Sequence, residues 1–240
     1  MSNEIVKYDN ELNTIPFRKF TSLEMNLFFS IVSRMRDQEL HTVEFSFDQL
    51  RELSQYKPTS TKRFVDDLEN TYRKMLQLTI GRRSSSVREF FVLFTGFKID
   101  SENETVNIKV NEDLRGILNE LNVWTRYSLK EFNSLKSTYS KTIFRLLKQY
   151  RTTGYLDLNM EDFKELLDLS DSYTLTNIDK RVLKPIKEEL PAYFKNLSIE
   201  KKKSKKRGNK VIGFIFKFEK EENHADDFEE EKIDKQSSKN

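Results

Sequence analysis

One succession of elements occurs twice along this chain: an amphipathic helix, a short extended piece, a capped helix, a further helix and a hairpin. In the first half, Thr21 or Ser22 caps a helix whose apolar residues Leu23, Leu27, Phe28, Ile31 and Met35 recur at helical spacing. Val43-Glu44-Phe45 is extended, and Ser46-Phe47-Asp48-Gln49 reads as a capping box. There the serine hydroxyl takes an orphan amide while the glutamine side chain reaches back. After the break at Lys57-Pro58, spacing predicts a third helix from near Thr59, carrying Phe64, Leu68, Tyr72, Met75 and Leu76. Two strand-like runs, Glu89 to Ile99 and Thr105 to Val110, flank the polar turn Asp100 to Glu104. Ahead of all this, Met1 to Lys19 reads as a polar lead-in with an apolar patch around Ile5, Val6 and Tyr8.

The second half repeats the order. A helix is expected over Ser134 to Tyr150, with Tyr139, Ile143, Leu146, Leu147 and Tyr150 facing a core. Tyr155 to Leu158 is extended, Asn159 caps a short helix, and another helix runs from Thr174 to Leu190. A hairpin of Asn196 to Lys201 with Val211 to Phe218 closes the half, with Ile212, Phe214, Phe216 and Phe218 alternating onto one face. The two caps match in detail. Ser46 is followed by Gln49, Leu50 and Leu53, and Asn159 at the same offsets by Asp162, Phe163 and Leu166. Phe45 and Leu158 precede the caps, placed to staple onto Leu50 and Phe163. The expectation is an α+β chain of two tandem winged-helix domains of similar topology, residues 1–125 and 126–218, followed by a tail.

Charge separates that tail from the body. Residues 219–240 hold nine acids and four bases, which leaves 38 bases against 30 acids in residues 1–218. The body therefore carries an excess of eight positive charges, which suits a polyanionic partner. The acidic tail, with Glu229-Glu230-Glu231, has the composition of a disordered segment.

Few catalytic parts are present. The two histidines, His41 and His224, stand in no metal-ligand spacing, and there is no cysteine. Walker A, G-x-S-x-G and His-x-His motifs are absent, and Asp66-Asp67 reads as a solvated helix face. No enzyme activity, metal or cofactor is expected. The polar N-terminus lacks the apolar core of a signal peptide, and no apolar run is long enough to span a bilayer. A cytoplasmic protein without membrane contact is the expectation.

Duplex DNA is the polyanion that the fold suggests. In a winged helix the third helix enters the major groove and the hairpin touches the flanking backbone. In the second half, Leu175, Ile178, Val182 and Ile186 are expected to pack inward. Tyr173, Thr174, Thr176, Asn177, Lys180, Arg181 and Lys184 are then left for DNA. Asparagine and arginine suit bidentate reading of adenine and guanine edges. The hairpin turn gathers Lys201, Lys202, Lys203, Lys205, Lys206, Arg207 and Lys210, a density of cations that favours phosphate. The first half offers Lys57, Thr59, Ser60, Thr61, Lys62 and Arg63 at the start of its third helix. It also offers a basic loop with Arg82, Arg83 and Arg88. Two other readings stay open at this point: a tandem winged-helix transcription regulator, and an assembly module whose basic hairpin meets an acidic protein.

The chain also resembles the replication initiator (Rep) family of theta-replicating, iteron-type plasmids. The resemblance spans roughly Ile5 to Phe218. It begins with Asn10-Glu11-Leu12 leading to Leu23-Glu24-Met25-Asn26-Leu27. It is densest in Tyr139-Ser140-Lys141-Thr142-Ile143-Phe144-Arg145-Leu146-Leu147 with Gly154-Tyr155-Leu156. It continues through Leu166-Leu167-Asp168-Leu169, Tyr173, Arg181-Val182-Leu183-Lys184-Pro185 and the basic turn into Ile212-Gly213-Phe214-Ile215-Phe216. The resemblance implies monomers bound to repeated origin sites and a homodimer, formed through the N-terminal domain, that represses the initiator's own gene. It also implies origin melting and recruitment of a host initiator and replicative helicase, without ATPase activity. Pro185 inside the recognition helix is a family feature, expected to kink the helix after the base-reading turns.

Overall fold

Every cap that the sequence singles out is made. The computed structural model describes residues 4–35, 42–118, 123–205 and 209–222, apart from the side chains of Arg82, Arg83 and Arg115. His41, Lys206, Arg207, His224 and the tail from 223 onward lie outside the described residues. In the capping box, the Gln49 amide donates to Ser46 Oγ at 3.1 Å and the Ser46 amide to Gln49 Oε1 at 3.0 Å. Asn159 Oδ1 accepts from the Asp162 amide at 2.9 Å, while Asp162 Oδ2 accepts from the Asn159 side chain at 2.7 Å. Thr21, rather than Ser22, caps the first helix: the Glu24 amide donates to its hydroxyl, and its own amide donates to Glu24 Oε2 at 2.6 Å.

The first half runs β1 (Ile5–Asp9), α1 (Ser22–Met35), β2 (Val43–Ser46), α2 (Phe47–Ser54), α3 (Thr61–Met75), β3 (Thr79–Arg83), β4 (Arg88–Val92), β5 (Phe94–Asp100), β6 (Thr105–Val110) and α4 (Arg115–Leu118). It is followed by β7 (Trp124–Ser128), α5 (Leu129–Ser134), α6 (Thr138–Gln149), β8 (Tyr155–Asn159) and α7 (Met160–Leu166). Then come α8 (Leu175–Asn177), a π-helical segment (Ile178–Leu183), α9 (Lys184–Glu189), β9 (Ser198–Lys203) and β10 (Val211–Lys217). Two antiparallel three-stranded sheets have the same order, β2-β6-β5 and β8-β10-β9, with the first strand of each sheet beside its last. This is the winged-helix arrangement, present twice.

Three expectations on elements change. The polar lead-in is a strand, β1, paired in register with β7 from Ile5↔Ser128 to Asp9↔Trp124. Its inward residues Val6 and Tyr8 are fully buried, a period-2 pattern too short to stand out beside so many charges. The helix expected from Ser134 starts at Thr138, capped by Ser137, and residues 129–134 form the separate α5. The run 89–99 is interrupted at Leu93, so its first part pairs with β3 as an additional two-stranded ribbon.

Because β7 straddles position 125/126 and pairs with β1, the halves are stitched together. The buried apolar side chains form one continuous cluster through both. Helix α6 crosses its centre carrying two buried cations. Arg145 donates to the Leu12 carbonyl at 3.0 Å and to Tyr8 and Asn13 at 3.2 Å, with its guanidinium over Phe17 and Phe29. Lys141 donates to Asn26 Oδ1 and the Phe132 carbonyl. The chain leaving β10 also docks: the Glu219 amide donates to the Lys195 carbonyl and the Glu221 amide to the Arg151 carbonyl. Glu221 pairs with Lys148 at 3.1 Å, so residues 219–222 are held, contrary to the reading of the whole tail as unstructured.

Two details shape the second hairpin. A Cβ on Gly213 would stand 2.2 Å from the Leu158 carbonyl oxygen, so only glycine lets β8 and β10 approach this closely. The register shifts between Val211 and Gly213, a bulge that leaves Ile212 39% exposed while Phe214, Phe216 and Phe218 are buried as the alternation requires.

Candidate nucleic-acid interface

The helix after Ser172 opens with Thr174, whose hydroxyl accepts from the Asn177 amide at 3.2 Å. Thr174 is therefore engaged as a cap, though it remains exposed. Ile178, Val182 and Ile186 are buried as expected, joined by Leu183. Leu175, in the first turn of the helix, is 40% exposed instead of packed. Thr176, Lys180, Arg181 and Lys184 are exposed, and Asn177 is partly covered.

Pro185 acts ahead of itself. It has no amide to give the Arg181 carbonyl, and its ring crowds that oxygen. The helix responds by widening before it: the Lys184 amide bonds the Asp179 carbonyl, five residues back. The distortion thus lies within the outward-facing turns rather than after them.

Tyr173 lies just ahead of this helix. The Tyr139 hydroxyl and the Arg181 guanidinium near its oxygen hold its phenol below the usual pKa. Burial, with Tyr173 beside it, pushes Tyr139 up to about 12. Tyr173 and Arg181 are therefore neighbours in the free protein.

An ion pair links the wing, β9 and β10, to the same helix. Lys201 Nζ is 2.6 Å from Asp179 Oδ2, a contact between the hairpin and the π segment. On the opposite face of the sheet Lys202 reaches across Gly213 to Asp157, also at 2.6 Å. These two lysines already have carboxylates. Lys203, Lys205 and Lys210 are exposed and have no ion pair among the described residues. The tip is closed by the Ser204 amide donating to the Lys210 carbonyl at 2.8 Å. Sequence reasoning misses both Asp157 and Asp179. The one signal is that Asp179 is the single acid in the stretch from Thr174 to Lys187.

The first half differs. Ser60 caps α3 by accepting from the Arg63 amide at 3.3 Å and remains exposed. Lys57, Thr59, Lys62 and Arg63 are exposed around that start. One turn on, Asp66, Asp67 and Glu69 follow; Asp67 accepts from Tyr56 at 2.6 Å and Glu69 pairs with Arg73. The basic loop is in fact a ribbon: Arg82 pairs in register with Glu89 and Arg83 with Arg88, around a turn closed by Ser84 and Val87. Arg88 is exposed, and Phe90, opposite Gly81, is 61% exposed. Among the described residues no helix is long and apolar enough to cross a membrane.

Comparison with known proteins agrees with this geometry. Residues 5–148 match the family described as "Initiator Replication protein, WH1", and residues 159–218 match "Initiator Rep protein, WH2". A Bifidobacterium longum (strain NCC 2705) protein described as "Probable replication protein rep" is 38% identical over 225 residues, 92% of this chain and 74% of its own length. An Escherichia coli "Replication initiation protein" is 24% identical over 184 residues, 74% of this chain and 56% of its own. The fold matches the crystal structure of Pi initiator protein in complex with iteron DNA, at a TM-score of 0.68 and 14% identity. That match covers 93% of this chain and all of the other. With both winged-helix models matched in order and a relative at 38% identity, the chain belongs to the replication initiator protein family.

Proposed function

We propose that this chain is a plasmid replication initiator that binds repeated origin sites (iterons) in duplex DNA sequence-specifically and acts by binding rather than catalysis, in the cytoplasm. The second winged helix, within residues 126–218, gives most of the base readout through Asn177, Lys180 and Arg181. Lys203, Lys205 and Lys210 hold the adjoining phosphates, with Lys206 and Arg207 between them in the sequence. The first winged helix, within residues 1–125, adds backbone contacts through Lys57, Lys62, Arg63 and Arg88, and a dimer contact. Two such modules reach major-groove segments about one turn, ~34 Å, apart. Origin opening, recruitment of a host initiator and replicative helicase, and repression of its own gene by the homodimer complete the reading.

The observation that carries it is the Lys201–Asp179 contact, which supports presentation of wing and recognition helix to one stretch of duplex. The test is binding to duplexes tiled across the DNA around the chain's own gene, against shuffled competitors. A plasmid carrying only this gene and the bound repeats is then assayed for maintenance. Tight binding to repeats with maintenance supports the proposal. Tight binding without maintenance supports a transcription regulator, and no preference for any duplex overturns the DNA reading.

A further inference from the structure

Asp179 is a partly exposed carboxylate among Thr176, Lys180, Arg181 and Lys184, on a helix whose other acids, Glu188 and Glu189, lie more than two turns further on. Such a group is repelled by the phosphates of every sequence that the helix approaches. Its cost is offset only where a base presents a hydrogen-bond donor, and in the major groove the cytosine amino group is the donor suited to a carboxylate.

The geometry leaves Asp179 able to accept one. Lys201 takes Oδ2 at 2.6 Å, and Oδ1 has no hydrogen-bond donor among the described residues. The side chain is 40% exposed, so the second oxygen is not walled off. The ion pair does two things. It fixes the carboxylate rotamer against the wing, and it neutralises Lys201, which is thereby withheld from phosphate.

We propose that Asp179 is a base-reading residue that accepts from a cytosine amino group in the major groove, with Lys201 aiming it. This rests on the reading of the second winged helix as a DNA reader and names one of its specificity determinants. An adenine amino group beside an N7 acceptor is a poorer match, because the second carboxylate oxygen would face that acceptor.

The experiment is a base-substitution scan of the bound repeat with the wild-type chain, Asp179→Asn and Asp179→Ala. With wild type, one cytosine position should show a loss of roughly tenfold or more on substitution, the scale of one good base contact. In Asp179→Asn that preference should vanish or turn toward adenine, which asparagine reads. In Asp179→Ala it should vanish with no replacement, and both variants should bind unrelated DNA more tightly. Profiles identical to wild type at every position in both variants would overturn the proposal. A wild-type chain without base preference anywhere would instead overturn the reading of DNA recognition itself. Because the pair is half exposed, both variants should fold, which thermal melting verifies.

Discussion

Lys141 Nζ, on α6, lies 2.7 Å from Asn26 Oδ1 on α1, and both residues are buried. This bond and the one to the Phe132 carbonyl are what the ammonium receives in place of water. They do not make up for burial, which lowers the lysine pKa to about 7, with Glu189 opposing the shift.

The folded pKa therefore lies below that of the unfolded chain, and between the two the unfolded state binds more protons. Stability should rise with pH from about 7 toward the ordinary lysine range, and the penalty should be complete below about 7. Lys141→Met should remove this rise. Chemical denaturation of both proteins across that window measures the difference, and parallel profiles would refute it.

Lys203, Lys205 and Lys210 should act on all sequences alike. Replacing each with alanine should flatten the dependence of log K on log salt by ~0.9 for every phosphate no longer neutralised, with base preference intact. Lys201→Ala should change the slope less, because its charge is already matched by Asp179. Binding titrations at several salt concentrations read both.

Arg181 and Asn177 should behave in the opposite way. Alanine at either should cost ~1–3 kcal/mol on the correct repeat and little on unrelated DNA. Tyr173→Phe should weaken the Arg181 contribution in particular, since that guanidinium lies close enough to the phenol oxygen to lower its pKa. A double-mutant cycle between the two positions gives the coupling.

Gly213→Ala tests the hairpin. Its Cβ would meet the Leu158 carbonyl, so β8 and β10 must separate, at a cost of ~1–3 kcal/mol or more. The wing is built on β10, so DNA binding should fall along with the melting temperature.

Much of the fold is legible in the sequence because local chemistry and tertiary context agree. Ser46 and Asn159 cap short helices by bonds within four residues, and Phe214, Phe216 and Phe218 alternate because one sheet face is buried. What escapes is nonlocal. β1 is a strand only because β7, more than a hundred residues away, supplies its partner. The bulge at Ile212 and the close approach at Gly213 are features that no hydrophobic pattern records. In the interface, the exposed cations are readable as types, but their partners are not. Lys201 and Lys202 stand in a run that reads as uniformly phosphate-seeking, yet Asp179 and Asp157 claim both.

The sharpest test is a hydroxyl-radical and methylation footprint on one bound repeat, comparing wild type with a Lys203→Ala, Lys205→Ala, Lys210→Ala variant. We expect major-groove protection from the recognition helix and backbone protection from the wing to adjoin within about one helical turn. The triple variant should lose only the backbone part. Protection by the two elements on separate faces or distant segments, or a backbone footprint unchanged by the triple substitution, would contradict a shared DNA surface.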